Sequence, residues 1–326
     1  MKNILITGGL GYIGGRVAFY IKEKEPDSNI FLTTRNKNGD FPSWTENFTV
    51  LQMDITDAAS IDDCLRDRDI DIIIHLAALN EIESAKDPEL ALEINTKGTY
   101  RLLNLANLYN VNRFIYFSTF HVYGNISDTV ITEKTLPKPI HPYAITHKAA
   151  EDFVNYFNNY QCMETLIFRM SNGYGYPMDI NIDRWTLVFN DICRQAVTNG
   201  EIILKSSGKQ YRDFISLHDV ANAVYHFVFV VPDEWGDGIY NLGGDCSMSI
   251  LDVAQKISDI YRAKYNKDIK EIKTASENGS SISTKPVKYS IDKIAETGFR
   301  LQGNMASEIE KTMDLCEKFI VSDEEA

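Results

Sequence analysis

Four short stretches of this chain carry residue types at spacings that could do chemistry. The first, Gly8-Gly9-Leu10-Gly11-Tyr12-Ile13-Gly14, is a glycine-rich turn. Between a strand and a helix, such a turn can hold a pyrophosphate. Gly8 permits the tight turn, Gly11 lets backbone approach the anion, and Gly14 lets helix and strand pack closely. Tyr12 and Ile13 then open the helix whose N-terminus faces the phosphates. The competing reading is a turn whose glycines answer steric needs alone. The second stretch, Leu76-Ala77-Ala78, offers small residues against which a ligand can lie close to backbone. The third, from Ser118 to Tyr123, brings two hydroxyls (Ser118, Thr119), the imidazole of His121 and the phenol of Tyr123 together. In the fourth, Tyr143 and His147 stand four apart, so they share one face of a helix.

These groups need elements to hold them. Asn3 to Thr7 is an apolar run bounded by glycine, the pattern of a buried parallel strand. Val17, Ala18, Tyr20 and Ile21 follow at helical spacing. Further strands are predicted over Asn29 to Thr34, Phe48 to Met53, Ile70 to His75 and Phe114 to Ser118. A long helix is predicted over 87–110, with Pro88 in its first turn. Strand and helix alternate five times, which predicts an α/β fold with a Rossmann-type doubly wound parallel sheet. Chemistry in such sheets collects outside the carboxyl ends of the strands, where Ser118, Thr119 and His121 fall. A loop with Pro137, Pro139 and Pro142 delivers Tyr143 and His147 onto a new helix. Beyond Asn172 the pattern loosens. Helices are predicted over 185–197, 218–231 and 249–261, the last with Ser249 as N-cap and Asp252 third, and a short strand over 202–204. The expected division is a dinucleotide-binding domain over 1–170, to which 211–240 returns. A smaller C-terminal α/β substrate-binding lobe takes 171–210 and 241–326. The acidic tail, 321–326, is expected to fray.

Composition narrows the field. The chain has 326 residues, enough for two lobes, and 44% hydrophobic content, enough for a core. A net charge of −13 argues against nucleic acid as the main partner. The five cysteines are scattered, with no CxxC pair, which suggests a reducing compartment and no metal cluster. The chain opens directly on a strand, so no signal peptide is expected, and its longest apolar run, Phe227 to Val231, is far too short for a membrane span. A cytoplasmic protein is the expectation. At the tip of the second strand, Thr33-Thr34-Arg35-Asn36-Lys37 lacks the carboxylate that holds an NAD ribose. Arg35, helped by Arg16, offers a fork suited to a 2′-phosphate. That favours NADP(H), with NAD(H) possible; otherwise both arginines are plain surface charges.

Taken in order, the motifs resemble the extended short-chain dehydrogenase/reductase family, and within it the nucleotide-sugar epimerases, dehydratases and reductases. TGGLGYIG is similar to TGxxGxxG, and HLAA to the segment after the fourth strand. MDITD resembles the segment whose Asp contacts adenine, which places Asp54 and Ile55 at the cofactor. EINTKGTYRLL puts Asn95 where the family has its structural asparagine. STFHVYG resembles the Ser/Thr loop, HPYAITHKAAE the YxxxK segment and RMSNGYG the RxxNxYG segment. RDFISLHDVANA resembles RDFxxVxDVAxA, and YNLGG the late YNxG. The resemblance implies hydride transfer between a sugar carbon and nicotinamide, with Tyr143 moving the hydroxyl proton and Thr119 hydrogen-bonding the same oxygen. It also implies Ser118 near the cofactor, Asn172 near the substrate phosphates and Arg212 at the nucleotide-sugar diphosphate. The alternative for Arg212 is a buried salt bridge with Asp219.

The chain departs from that pattern twice. His147 stands where the family has lysine, and Lys148 is displaced by about 100° around the helix. His147 could still hold the nicotinamide ribose, and near pH 7 it would be cationic part of the time. Two readings stand: an enzyme in which histidine replaces lysine, or a dinucleotide and nucleotide-sugar binding protein with impaired catalysis. The second departure is that Phe120 and His121 occupy the positions of the Asp-Glu pair of the 4,6-dehydratases. The expectation is therefore an epimerase or ketoreductase, not a 4,6-dehydratase, with His121 either a substrate proton donor or an ordinary polar residue. The family's dimer helices map to 87–110 and 143–160. Phe153, Val154, Tyr156 and Phe157 make the second of these unusually aromatic, so a homodimer is expected.

Overall fold

The computed structural model describes residues 1–36, 39–125, 130–161, 163–231, 234–275 and 285–324. Its centre is a seven-stranded sheet, built from β1 (Asn3–Thr7), β2 (Asn29–Thr34), β3 (Thr49–Gln52), β4 (Ile72–His75), β5 (Arg113–Thr119), β7 (Glu164–Met170) and β11 (Ile239–Leu242). The strand order is β3-β2-β1-β4-β5-β7-β11, and every pairing is parallel. The chain runs outward from β1 to β3, then crosses back and runs the other way from β4. That reversal between β1 and β4 leaves a crevice at the carboxyl ends of the two strands.

Alternation explains the apolar runs. Ile4, Ile6, Ile72, Ile74, Ile115 and Phe117 point to one face, where α1 (Tyr12–Lys24) packs against α8 (Leu217–Tyr225). Leu5, Ile73, Phe114, Tyr116 and Ile167 point to the other, under α2 (Ala58–Leu65), α5 (Thr99–Leu108) and α6 (Pro142–Tyr160). Both faces are covered, so both parities of each strand must be apolar.

The long helix predicted over 87–110 is not uniform. A short α4 (Pro88–Ala91) opens it, a π-helical turn spans Leu92–Gly98, and α5 completes it. The wide turn carries Asn95, whose side chain accepts from the Leu79 backbone N–H at 2.7 Å and donates to Thr146 Oγ1 at 3.1 Å. It therefore ties the loop after β4, which leads into α3 (Glu81–Lys86), to α6.

After Met170 the chain builds a separate apolar cluster around Tyr174, Trp185, Phe189, Phe214, Ile257 and Met313. The strands there are β8 (Asn172–Tyr174), β10 (Tyr211–Ser216) and β12 (Ser247–Ser249), with β9 (Ile202–Leu204) paired to β13 (Ile272–Thr274). Its helices are α7 (Val188–Asn199), α9 (Ile250–Tyr265) and α11 (Met305–Glu324). Ser249 and Asp252 form a reciprocal capping box on α9. The helix expected from 185 starts only at Val188, because Trp185 turns inward and its Nε1 donates to the Ile180 carbonyl at 2.9 Å. α11 runs to Glu324 and takes in the start of the acidic tail; 325–326 lie outside the described residues. A small β6 (Val130–Ile131) pairs with β14 (Lys288–Tyr289), and α10 (Asp292–Glu296) follows.

Candidate active site

A cleft of about 420 Å³ opens at the reversal point. Its walls include Gly8, Gly11, Tyr12, Ile13 and Gly14, then Arg35, Asp54 and Ile55, then Leu76, Ala77 and Ala78. All of these were anticipated from the sequence as cofactor contacts. The glycine requirements are specific. Gly8 has φ +64°, and a Cβ at Gly14 would lie 2.4 Å from the Gly8 carbonyl oxygen. The Tyr12 phenol turns away from the cleft and donates to the Gly175 carbonyl at 2.8 Å, so it is the Tyr12 backbone that faces a ligand. Arg35 is exposed and lines the cleft. Arg16 does not. It is buried, forms a two-pronged pair with Glu308 of α11 at 2.6 and 2.9 Å, and lies 3.8 Å from the Tyr176 ring centre. The expected help of Arg16 to a 2′-phosphate is corrected accordingly: its fork is already filled by a carboxylate.

The far end of the site gathers Thr119, His121, Tyr143 and His147 from β5, the turn after it, and α6. The Thr119 side chain lies close enough to Tyr143 to act on its phenol. Burial, then the charge of Glu81, pushes the Tyr143 phenol up to about 12, while Arg184 and Thr119 oppose the rise. The His147 ring meets Tyr143 edge-on at 4.4 Å, and its Nδ1 lies 2.7 Å from the Tyr116 hydroxyl. Burial, then His121 and His141, pushes its pKa down to about 3. The imidazole is therefore neutral near pH 7, and the part-time cation expected from the sequence is corrected: a buried ring has too little water around it to hold a charge. Lys148 pairs with Asp152 one turn along, on the outer face. His121 packs against His141 at 5.2 Å and is likewise pushed down, to about 4, mainly by burial.

Three anticipated residues have their polar atoms engaged within the protein. Ser118 Oγ donates to Glu151 at 2.6 Å, inside a buried pair in which Arg169 Nη2 lies 2.7 Å from Glu151. Asn95 bridges Leu79 and Thr146, as described above. Asn172 Nδ2 donates to the Asp213 carbonyl at 2.9 Å, joining β8 to β10. Arg212 is exposed, and among the described residues no carboxylate pairs with it. The alternative salt bridge to Asp219 is absent, because that carboxylate already accepts from Ser216 Oγ and the backbone N–H groups of Gln302 and Gly303.

Sequence reasoning missed four residues of interest. Arg184 lines the dinucleotide cleft and acts on Tyr143. Glu81, the first residue of α3, acts electrostatically on Tyr143, His121 and Arg212 together. His141 and Tyr116 flank the histidines. Nothing local marks these residues, since each is delivered by a different element. The cleft also uses Leu10, Thr33, Thr34, Met53, Thr56, Leu79 and Ile94. Among the described residues, no group of His, Cys, Asp or Glu could hold a metal ion, and no helix is long and apolar enough to cross a membrane.

The model of the family described as "NAD dependent epimerase/dehydratase family" matches residues 4–243. A Mus musculus protein named dTDP-D-glucose 4,6-dehydratase is 29% identical over 97% of this chain and 89% of its own length. A Dictyostelium discoideum protein of the same name is 29% identical over 80% of this chain, which spans only 62% of that relative. Among solved structures, UDP-glucuronic acid 4-epimerase from Bacillus cereus, in complex with UDP-glucuronic acid and NAD, superposes with a TM-score of 0.79. It is 22% identical and covers 98% of this chain and 100% of its own.

These relatives overturn one expectation. The chain was expected to be an epimerase or reductase and not a 4,6-dehydratase, yet relatives at 29% identity carry that dehydratase name. The exclusion counted carboxylates only at the two positions after Thr119. A carboxylate on another element can act on the site through its charge, as Glu81 of α3 does on Tyr143 and His121. With a family match across the whole central sheet and the glycine cleft at its reversal point, the chain belongs to the NAD dependent epimerase/dehydratase family.

Proposed function

We propose that the protein oxidises and reduces a nucleotide-activated sugar at a ring hydroxyl or keto carbon, using a nicotinamide dinucleotide. One observation carries this reading: Thr119 and Tyr143 come together at the carboxyl end of β5, and Arg184, which lines the glycine-walled cleft, acts on the same phenol. The residues fit a dinucleotide. A Cβ at Gly14 would strike backbone, the Gly8 turn abuts Ala77, and His147 Nε2 is a buried polar atom with no partner among the described residues. Gly8, Gly11 and Gly14 would hold the pyrophosphate on backbone and the α1 N-terminus. Asp54 and Ile55 would flank the adenine, and Arg35 would favour NADP(H) over NAD(H). A bound nicotinamide would supply the hydride acceptor or donor.

The proton is the protein's own task. Tyr143 hands its phenolic proton to the sugar oxygen in one direction and receives it in the other, while Thr119 holds that oxygen. At about 12 the phenol keeps its proton near neutrality, so proton donation is the ready direction. Arg184 supplies cationic help, the role that a lysine four residues after the tyrosine would otherwise fill. Arg212, unpaired among the described residues, would meet the substrate diphosphate, with His121 beside the sugar. The substrate-binding lobe would comprise 171–210 and 241–326. Exposed Leu92, Tyr100 and Leu108 next to exposed Ile145, Phe153 and Tyr156 support a homodimer through α5 and α6.

The test is single-turnover reduction of bound NADP⁺ or NAD⁺ by UDP- and dTDP-sugars, read by nicotinamide absorbance. Reduced nicotinamide appearing with one sugar class supports the reading. A protein that binds dinucleotide tightly but reduces none of it with any nucleotide sugar is a binding protein with impaired catalysis.

A further inference from the structure

Two buried histidines sit a short distance apart and are treated differently by the fold. His75 is closed: Nδ1 lies 2.6 Å from Thr7 Oγ1 and Nε2 lies 3.0 Å from Thr99 Oγ1. His147 is 2% exposed and half open: Nδ1 meets the Tyr116 hydroxyl at 2.7 Å, while Nε2 has no partner among the described residues. Buried polar atoms are normally satisfied, so an orphan on the ring that meets Tyr143 edge-on calls for a ligand atom.

Hydrogen counting settles which ring nitrogen carries the proton. Tyr116 is 2% exposed, and burial, then the charges of Glu151 and Tyr143, holds its phenol well above the usual range, so it keeps its hydrogen. Among the described residues, the acceptor recorded for that hydrogen is His147 Nδ1. If Nδ1 itself carried a proton and donated to Tyr116, the phenolic hydrogen would be buried without an acceptor. The neutral ring has one proton to place, and it goes to Nε2.

We infer that Tyr116 is a positioning residue: its phenol fixes His147 in the Nε2–H tautomer, presenting one neutral N–H donor to a hydroxyl or carbonyl oxygen on the nicotinamide half of the dinucleotide. The ligand half of this statement rests on the dinucleotide reading of the cleft. The consequence is a division of labour. A lysine at this point would be both a donor and a cation beside Tyr143. His147 keeps the donor and gives up the charge, so it holds the ligand without easing ionisation of the phenol.

Protein labelled with ¹⁵N-histidine tests this without turnover, since two-bond nitrogen–proton spectra separate the tautomers. In the wild type, His147 should carry its proton on Nε2. Adding NADPH or NADH should move the Nε2 signal far more than the Nδ1 signal. In Tyr116→Phe the ring should populate both tautomers, and dinucleotide affinity, read by fluorescence titration, should fall about twofold, in proportion to the rings left in the binding tautomer. A wild-type ring protonated on Nδ1, or a tautomer unchanged in Tyr116→Phe, overturns the role of Tyr116. The wild-type spectrum decides the tautomer even where the variant fails to fold. If the tautomer is as stated but neither dinucleotide binds or moves the Nε2 signal, the reading of the cleft fails and the ligand half fails with it.

Discussion

The two ends of the site are built by different means. The dinucleotide end is made mostly of backbone. Its defining residues are glycines and alanines, they lie in two short runs, and what they offer is space and N–H groups. The proton-transfer end is made of side chains. Thr119, Tyr143 and His147 come from two elements; burial comes first in setting the ionisation of Tyr143 and His147, and Glu81, Arg184, His121 and His141 adjust it. Backbone sites tolerate changes in nearby side chains but not an added Cβ. Side-chain sites tolerate volume changes better than the loss of one polar atom. Variants that respect or violate this contrast test it.

The largest effect is expected at the side-chain end. Tyr143→Phe removes the hydroxyl proposed to move the proton, and general acid–base catalysis is typically worth about 10² to 10⁴-fold. The single-turnover rate should fall by that factor with dinucleotide affinity within about twofold of wild type. An unchanged rate would move the assignment to His121.

At the backbone end, Gly14→Ala should do the reverse. The added Cβ meets the Gly8 carbonyl oxygen at 2.4 Å, and backbone has to shift where the pyrophosphate would lie. Dinucleotide affinity should drop by about ten- to a hundredfold, the order of one or two charge-assisted hydrogen bonds. Equal binding by variant and wild type would show that this turn does not hold phosphate.

The third prediction concerns acid. His75 and His147 are held down to about 3 by burial, against about 6.5 for an unfolded histidine. The unfolded chain therefore takes up protons that the native fold refuses, and stability is lost as the pH falls below about 6.5. Between pH 7 and pH 5 each ring should cost about 2 kcal/mol, read as a lower urea midpoint. A midpoint flat across that range would mean that the rings are solvated. Tyr143→Phe should leave this slope alone, which separates the catalytic phenol from the histidines.

The smallest effect is at the rim. Arg35 is exposed, so its pairing with a 2′-phosphate is screened by solvent. Arg35→Ala should weaken NADPH about three- to tenfold and leave NADH unchanged. Equal losses for both would remove the basis for preferring NADP(H).

The sequence by itself determined the sheet and the glycine cleft, and it did so because both rest on short-range patterns. A strand covered on both faces must be apolar at every position, and a turn that packs a helix against a strand must have glycine where a Cβ would collide. The pairing of Tyr143 with His147 was legible for the same reason, through a four-residue spacing. Charge states were not legible. Whether His147 is a cation depends on how many elements bury it, and that cannot be read from its neighbours in the chain. Arg16 looks like a free cation beside the glycine turn, yet its partner Glu308 arrives from the last helix. Glu81 and Arg184 lie about a hundred positions apart in the chain, and only the folded structure brings both charges to bear on one phenol. Electrostatic effects act through space and depend on burial, so tertiary structure decided them, whereas backbone sterics act along the chain and were written in the sequence.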